Sequence, residues 1–184
     1  MRIAPFSEEN REQVQRVCLE TGPGEALTDP AVAAYILNDY CNYYIDNEPE
    51  NCFVLLDDSG AAVGYIICAE NYREYRRRFA PYAEIIKKNA GISRIETVAE
   101  QIAMRFFSGR YPAHLHIDLL DDYTGKGSGS LLMKAQLENL TAKKVPGVML
   151  IVGSGNKKAI RFYRRHGFRT LISLFGGTVM GRKL

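Results

Sequence analysis

The run from His114 to Phe168 constrains the fold most, because a strand, a glycine loop, a helix, a second strand and a short helix follow in close succession. The loop lies between a strand predicted over His114–Leu120 and a helix predicted over Ser130–Lys143. Its residues are Thr124, Gly125, Lys126, Gly127, Ser128, Gly129 and Ser130. Glycines at alternate positions let backbone amides approach a phosphate without a Cβ in the way. The pattern predicts a site for a phosphorylated cofactor.

Other phosphate-binding motifs do not match this loop. A P-loop needs glycine five residues before its Gly-Lys pair and serine or threonine after it, whereas Leu120 and Gly127 stand at those positions. A dinucleotide fingerprint needs a third glycine where Leu132 stands. A strand-to-helix turn that binds nothing is the remaining alternative.

A downstream pattern adds specificity to the loop. It reads Asn-x-x-Ala-x-x-Phe-Tyr-x-x-x-Gly-Phe from Asn156 to Phe168. Together the two patterns resemble the GNAT acyltransferases, although Thr124 stands where that family has Gln or Arg. One contact to the pyrophosphate is then either weaker than in that family or supplied by Lys126. The resemblance implies an α/β (α+β) GNAT fold, with a mixed central sheet of about six to seven strands and helices on both faces.

The same resemblance implies acetyl-CoA (coenzyme A) as cofactor. Its pyrophosphate would bind the loop amides, and its pantetheine arm would follow the strand end at Leu119 and Leu120. The helix would contribute Asn156, Ala159, Phe162 and Tyr163 to the cofactor site. Tyr163 occupies the position of the acid that protonates the departing sulfur, with packing against Phe162 as the alternative. Asn156 is also a candidate helix cap.

Three polar residues are candidates for the base. His114, His116 and Asp118 alternate along one strand, so their side chains should share one face. An unperturbed histidine has a suitable pKa, near 6.5. Buried structural hydrogen bonding is the alternative for each histidine, and water is an alternative base.

The similarity extends over most of the chain to bacterial GNAT proteins related to the acetyltransferase-like C-terminal region of O-GlcNAcase. It is carried by segments such as YPAHLHIDLL, GYIICAENYREY and GGTVMGRKL. In that group the strand aspartate and the helix tyrosine, here Asp118 and Tyr163, are the proposed functional pair, and His116 is second to Asp118. The family positions imply an acceptor pocket at Tyr40, Tyr44, Glu70, Asn71 and Tyr72.

Composition restricts the other classes of function. With 184 residues, 46% of them hydrophobic, the chain is expected to form a single domain, 1–184. The net charge is +3 and the basic residues are dispersed apart from Arg76–Arg78, so no nucleic-acid partner is expected. Four irregularly spaced cysteines indicate reduced thiols and no metal site. Because neither a signal peptide nor a run of membrane-spanning length is present, we expect a cytoplasmic protein with no membrane partner.

Local patterns predict the remaining elements. A helix over Ser7–Thr21 would be capped by Ser7, and a second helix would begin at Asp29-Pro30. The other predicted segments are a hairpin of Cys52–Asp57 and Ala62–Ala69, helices over Glu70–Asn89 and Ile92–Phe107, a strand from Gly147, and a closing hairpin of Phe168–Phe175 and Thr178–Lys183.

These observations predict an acetyl-CoA-dependent N-acetyltransferase acting on a primary amine by direct ternary-complex attack. The amine belongs to a small molecule or a protein, and the enzyme is a monomer or homodimer. The alternative is a pseudo-acetyltransferase that serves as a CoA- or peptide-binding module. A longer acyl group is a third possibility.

Overall fold

A mixed β-sheet of seven strands runs through the residues that the structure describes, which are 1–89, 94–174 and 176–184. The structure is a computed structural model, and for residues 94–100 it describes the backbone alone. The strands are β1 (Arg2–Pro5), β2 (Cys52–Leu56), β3 (Ala62–Ala69), β4 (Ala113–Leu119), β5 (Gly147–Gly153), β6 (Arg169–Leu174) and β7 (Gly177–Lys183). Their order is β1-β2-β3-β4-β5-β7-β6, with β4 and β5 parallel and the other neighbours antiparallel. The predicted mixed sheet is confirmed.

Helices cover both faces of the sheet. Within the described residues they are α1 (Arg11–Glu20), α2 (Pro30–Tyr40), α3 (Asn42–Asn47), α4 (Tyr72–Arg78), α5 (Ala80–Asn89), α6 (Arg94–Phe107), α7 (Ser128–Ala142) and α8 (Lys157–Arg165). On one face, α7 and α8 bury Leu132 and Ile160 against the sheet. On the other, α1, α2 and α3 bury Val14, Ile36 and Tyr44. Two separate hydrophobic cores therefore hold one sheet between them.

Strand β4 presents a different chemistry to each core. Its residues Leu115, Ile117 and Leu119 pack into the core under α7 and α8. The alternate residues pair in register with β3 residues of the opposite core, so His114, His116 and Asp118 share the other face. The period-two pattern predicts this arrangement.

Strands β4 and β5 separate after a short pairing. Within the described residues they pair at Ala113 with Val148 and at His114 with Met149. Beyond that point β4 continues along β3 as far as Leu119, while β5 continues along β7. A gap therefore opens between the carboxyl ends of two adjacent parallel strands.

Several predicted boundaries are corrected by the structure. The helix expected over Glu70–Asn89 is two helices, because Pro81 lacks an N–H and its ring clashes with the carbonyl four residues back. Helix α7 begins at Ser128, two residues before the predicted start. In the predicted segments 92–107 and 168–175, Ile92, Ser93 and Phe175 lie outside the described residues.

The two predicted helix caps differ in outcome. Asp29 accepts a hydrogen bond from the Ala31 N–H at 2.8 Å, which confirms its cap. The Ser7 cap is wrong, because its hydroxyl donates to Asn10 Oδ1 and a 3-10 turn precedes α1.

Among the described helices, none is long and apolar enough to cross a membrane.

Gly147 at the start of β5 offers a test of how tightly the sheet is packed. A Cβ there would lie 2.8 Å from the Arg110 carbonyl oxygen and 2.9 Å from a Tyr111 ring carbon. We expect Gly147→Ala to lower the free energy of unfolding by about 1–3 kcal/mol, as overpacking does. Urea unfolding measures it, with Gly153→Ala as the matched control, since nothing lies within 4 Å of a Cβ there. Equal stability of the two variants would contradict this packing.

Candidate active site

Two cavities lie beside β4 where it leaves β5. We name the first the glycine-loop cleft, about 1050 Å³ between the end of β4, the start of α7 and the inner face of α8. Of the predicted cofactor residues, those that line it are Leu119, Leu120, Thr124, Gly125, Gly127, Gly129, Ser130, Asn156, Ala159, Phe162 and Tyr163. The second, the tyrosine cavity, occupies about 430 Å³ beneath α2, α4 and α6. The strand that separates from β5 thus borders both.

The loop geometry suits an anion. Gly125 and Gly127 have φ of +73° and +87°, a conformation that favours glycine, and no atom lies within 4 Å of a Cβ built at either. Gly127 also precedes the first turn of α7, where free N–H groups carry roughly half a positive charge. The loop therefore offers backbone donors to the cleft with no side chain in the way.

Gly129 has a different function from the other two loop glycines. A Cβ there would lie 3.4 Å from the Phe162 ring. The absence of a side chain lets α7 and α8 approach closely. Ser130 Oγ and His166 Nε2, 3.0 Å apart, join the same two helices.

Two predicted cofactor residues turn away from the cleft. Lys126 is exposed and does not line it, and Ser128 is buried with its hydroxyl 3.9 Å from the Met1 sulfur. Lys158 and Arg165 on α8 supply the cations that line the cleft. Sequence reasoning missed both, although their spacing of seven places them on one helix face.

The open edge of β4 has its own supply of donors. The Leu120 N–H is already bonded to the Val63 carbonyl on β3 at 3.0 Å. Because successive N–H groups of a strand point to opposite edges, those of Ile117 and Leu119 point to the gap. These groups can bind amide carbonyls of a ligand that enters between β4 and β5.

Asp118 and Tyr163 both line the glycine-loop cleft. Asp118 Oδ2 accepts a hydrogen bond from the Tyr65 hydroxyl at 2.7 Å. Burial raises the pKa of Asp118, and that hydrogen bond opposes the shift. Burial and then the charge of Asp118 raise the pKa of Tyr163, so its hydroxyl stays protonated at neutral pH. A protonated acid and a carboxylate thus lie within electrostatic reach of each other.

The histidines of β4 line the tyrosine cavity instead. His116 Nε2 lies 3.0 Å from the Tyr44 hydroxyl, and burial lowers the pKa of His116 to about 4. An imidazole of such low basicity is neutral at pH 7 and a weak proton acceptor. Because His116 lines the other cavity, whereas Asp118 lines the cleft with Tyr163, the geometry favours Asp118 over His116 as the base.

The predicted acceptor residues divide into two groups. Tyr40, Tyr44 and Tyr72 line the tyrosine cavity. Glu70 and Asn71 do not line it, because Glu70 accepts a hydrogen bond from Lys143 at 2.9 Å and Asn71 caps α4 through the Arg73 N–H. At the connection between β3 and α4, these two polar side chains therefore bond to other groups of the protein and do not face the cavity. Asp39 and Tyr75 also line the cavity and were missed, and His114, which the sequence predicts as a candidate base, lines it as well.

Family comparison agrees with this geometry. The model of the acetyltransferase (GNAT) family matches residues 19–168. The chain belongs to the GNAT acetyltransferase family. Its class of enzyme is therefore an acyltransferase, and its cofactor is acetyl-CoA, as the sequence predicts.

Solved GNAT structures superpose on the whole chain. The crystal structure of SsHAT matches at TM-score 0.81 and 29% identity, over 99% of this chain and 97% of that one. The PaiA N-acetyltransferase from Thermoplasma acidophilum, in complex with coenzyme A, matches at TM-score 0.64 and 17% identity over 100% and 98%. Ard1 from Thermoplasma volcanium matches at 0.63 and 22% identity over 100% and 97%. The GNAT fold is confirmed.

No metal is indicated by this geometry. In the part of the chain that the structure describes, no group of three or more His, Cys, Asp or Glu side chains could hold an ion.

Asn156 caps α8, accepting a hydrogen bond from the Ala159 N–H at 2.9 Å, which confirms the predicted helix cap.

Asp39 in the tyrosine cavity gives a pH-dependent prediction. Burial raises its pKa from 3.8 to about 6, against hydrogen bonds from Tyr35 and Tyr40. The folded protein therefore holds this proton more tightly than the unfolded chain, and stability falls as pH rises from about 4 to about 6, by about 1.4 kcal/mol per pKa unit. The lowered pKa of His116 raises stability over the same range in both the parent protein and Asp39→Asn. The quantity to measure is therefore the free energy of unfolding of the parent protein minus that of Asp39→Asn, which should fall as pH rises from about 4 to about 6 in urea unfolding. Parallel curves would exclude the shift.

Proposed function

We propose that the protein is an acetyl-CoA-dependent N-acetyltransferase that transfers the acetyl group to a primary amine by direct attack in a ternary complex. The observation that carries this proposal is the gap between β4 and β5, bordered by Asp118 and Tyr163 and adjoining the glycine loop. GNAT acetyltransferases act on amines. The direct mechanism and the roles of individual residues are our inference.

Acetyl-CoA fits the residues present at the cleft. The amides of Gly125 to Gly129, with Lys158 and Arg165 nearby, would bind its pyrophosphate, whereas the Ser130 N–H already donates to the Gly127 carbonyl at 2.9 Å. The open N–H groups of Ile117 and Leu119 would bind the pantetheine amides and polarise the thioester carbonyl. The cofactor supplies an acetyl group already activated as a thioester.

Asp118 and Tyr163 would divide the proton transfers. Asp118 orients the acceptor amine and accepts its proton, directly or through water. Tyr163 donates a proton to the departing sulfur. Its hydroxyl is protonated at neutral pH, as an acid must be at the start of the reaction.

We further propose the closer kinship, to bacterial relatives of the acetyltransferase-like region of O-GlcNAcase. Its support is that Asp118 and Tyr163, the pair proposed in that group, line one cleft here.

A cytoplasmic location is favoured by the four free thiols, which are all buried: Cys18, Cys41, Cys52 and Cys68. Whether the enzyme is a monomer or a homodimer stays a prediction.

The loop can be tested by calorimetric titration with acetyl-CoA and free CoA. Gly127→Glu should abolish saturable binding, because its side chain enters the cleft with both bulk and negative charge. Gly60→Glu is the matched control, since Gly60 has φ of +88° and equally open space but lies in the β2–β3 turn. If both variants bind like the parent protein, the pyrophosphate does not occupy this loop.

The chemistry can be tested by acetylation of a broad amine panel. We expect Tyr163→Phe and Asp118→Asn each to lower kcat by about 100-fold or more while acetyl-CoA still binds, as loss of a general acid or base does. Tyr82→Phe is the control, because that hydroxyl bonds Asp46 outside both cavities.

A different result would support the binding module. In that result, no amine in the panel is acetylated, and the protein hydrolyses acetyl-CoA slowly at a rate that neither Tyr163→Phe nor Asp118→Asn changes. The site would then recognise CoA or a peptide without transferring the acetyl group.

A further inference from the structure

Among the described residues that line the tyrosine cavity, Asp39 is the only one that is charged at pH 7. The two histidines that line it have lowered pKa values, so they are neutral. Asp39 itself is half-buried, and its pKa of about 6 leaves it mostly ionised. None of the ion pairs found among the described residues includes it. The cavity therefore has a negative charge without a paired cation in the described chain.

The charge of Asp39 reaches the rings of the cavity. Burial and then the charge of Asp39 raise the pKa of Tyr75, and burial, Tyr75 and then Asp39 raise that of Tyr44. Arg76 and Arg105 act on the Tyr72 hydroxyl, where their charges oppose the effect of burial, and neither arginine lines the cavity. The carboxylate therefore lies within electrostatic reach of the ring wall.

A row of aromatic rings lines the same cavity. Tyr40 and Tyr44 each contact His116 edge to face, at 5.3 and 5.2 Å between ring centroids. Tyr75 stacks at 6.0 Å with Tyr44 and at 6.0 Å with Tyr72. Tyr40 and Tyr75 are half-buried, so part of their surface is open. Because aromatic rings attract cations, and more strongly where water is excluded, these rings and Asp39 favour the same kind of ligand.

The hydrogen-bonding groups of this wall already have partners. The Tyr72 hydroxyl donates to the Gln101 carbonyl at 3.0 Å, and the Tyr44 hydroxyl lies 3.0 Å from His116 Nε2. The Asp39 carboxylate accepts hydrogen bonds from two tyrosines of α2. A primary ammonium group has three N–H donors that need acceptors, whereas a fully methylated one has none. The cavity therefore favours a quaternary ammonium group, which needs only charge and ring surface.

We propose that the tyrosine cavity binds a small molecule with a quaternary ammonium group, with Asp39 as counter-ion and the rings of Tyr40 and Tyr75 against its methyl groups. The volume of about 430 Å³ lies in the range of small-molecule pockets, about 300–1,000 Å³. A quaternary nitrogen has no proton to lose, so this group is not itself acetylated. The site goes beyond the proposed function, because neither acetyl-CoA nor Asp118 takes part in binding.

The first test compares choline with the neutral alcohol in which a carbon atom replaces the choline nitrogen. The two probes have the same shape and differ in charge. In a titration followed by NMR chemical shifts, the parent protein without acetyl-CoA should bind choline about tenfold or more tightly than the neutral alcohol. This comparison needs no variant. Equal affinities, or a failure of choline to bind, would overturn the proposal.

The second test removes the counter-ion. Asp39→Asn keeps the size of the side chain, so choline affinity should fall by about tenfold or more while that of the neutral alcohol changes little. Asp46→Asn is the matched control, because it removes the same charge from the neighbouring helix α3 and lines neither cavity. Circular dichroism checks that both variants are folded. Choline affinity that is unchanged in Asp39→Asn would contradict the assignment of the counter-ion.

A third readout locates the ligand. Nuclear Overhauser effects from the choline methyl protons should reach the ring protons of Tyr75, whose signals Tyr75→Phe identifies. If choline binds without these contacts, it occupies another place and the proposal fails. All three measurements are made without acetyl-CoA, so failure of the cofactor to bind refutes the proposed function and leaves this test intact.

Discussion

The separation of β4 from β5 is the constraint on which the rest of the site depends. The strands pair at two positions, after which β4 stays with β3 and β5 with β7. Buried backbone N–H and C=O groups need partners, and among the described strands none supplies them to Ile117 and Leu119 on the side of the gap. A ligand with its own amide groups could complete the sheet there, as the proposed function requires of acetyl-CoA. The fold thus creates a binding edge by leaving part of a parallel ladder unmade.

Strand β4 also carries a row of polar groups through a largely apolar interior, and their environments differ along it. Asp118 is bonded by Tyr65 and lies in the cleft with Tyr163. His116 is bonded by Tyr44, and burial keeps it neutral. His114 has no partner among the described residues. The groups change from a carboxyl group bonded by a tyrosine in the cleft to a neutral, unpaired ring in the interior, in the direction away from the gap.

The sequence carried enough information for the sheet, the loop and the strand alternation, because these depend on local spacing. Examples are the glycines at 125 and 127, which take up the positive φ that the loop requires, and the alternation that gives β4 one polar face. It could not show that Glu70 pairs with Lys143, residues far apart in sequence that the fold brings together. His114 was visible as a polar residue in a strand, but its lack of partners among the described residues depends on the tyrosine rings that α3 and α4 pack against it. Pro81 was a readable signal that was missed.

The three loop glycines have separate physical functions, and this joins cofactor binding to the proposed acid. Gly125 and Gly127 take up positive φ and leave open space, whereas Gly129 lets Phe162 pack against the loop. Phe162 precedes Tyr163 on α8, so the position of that hydroxyl relative to the cleft follows from the contact at Gly129. A Cβ at Gly129 would touch the Phe162 ring at 3.4 Å, and a longer side chain would press on α8. Loop and acid therefore behave as one structural unit, because the same helix contact places both.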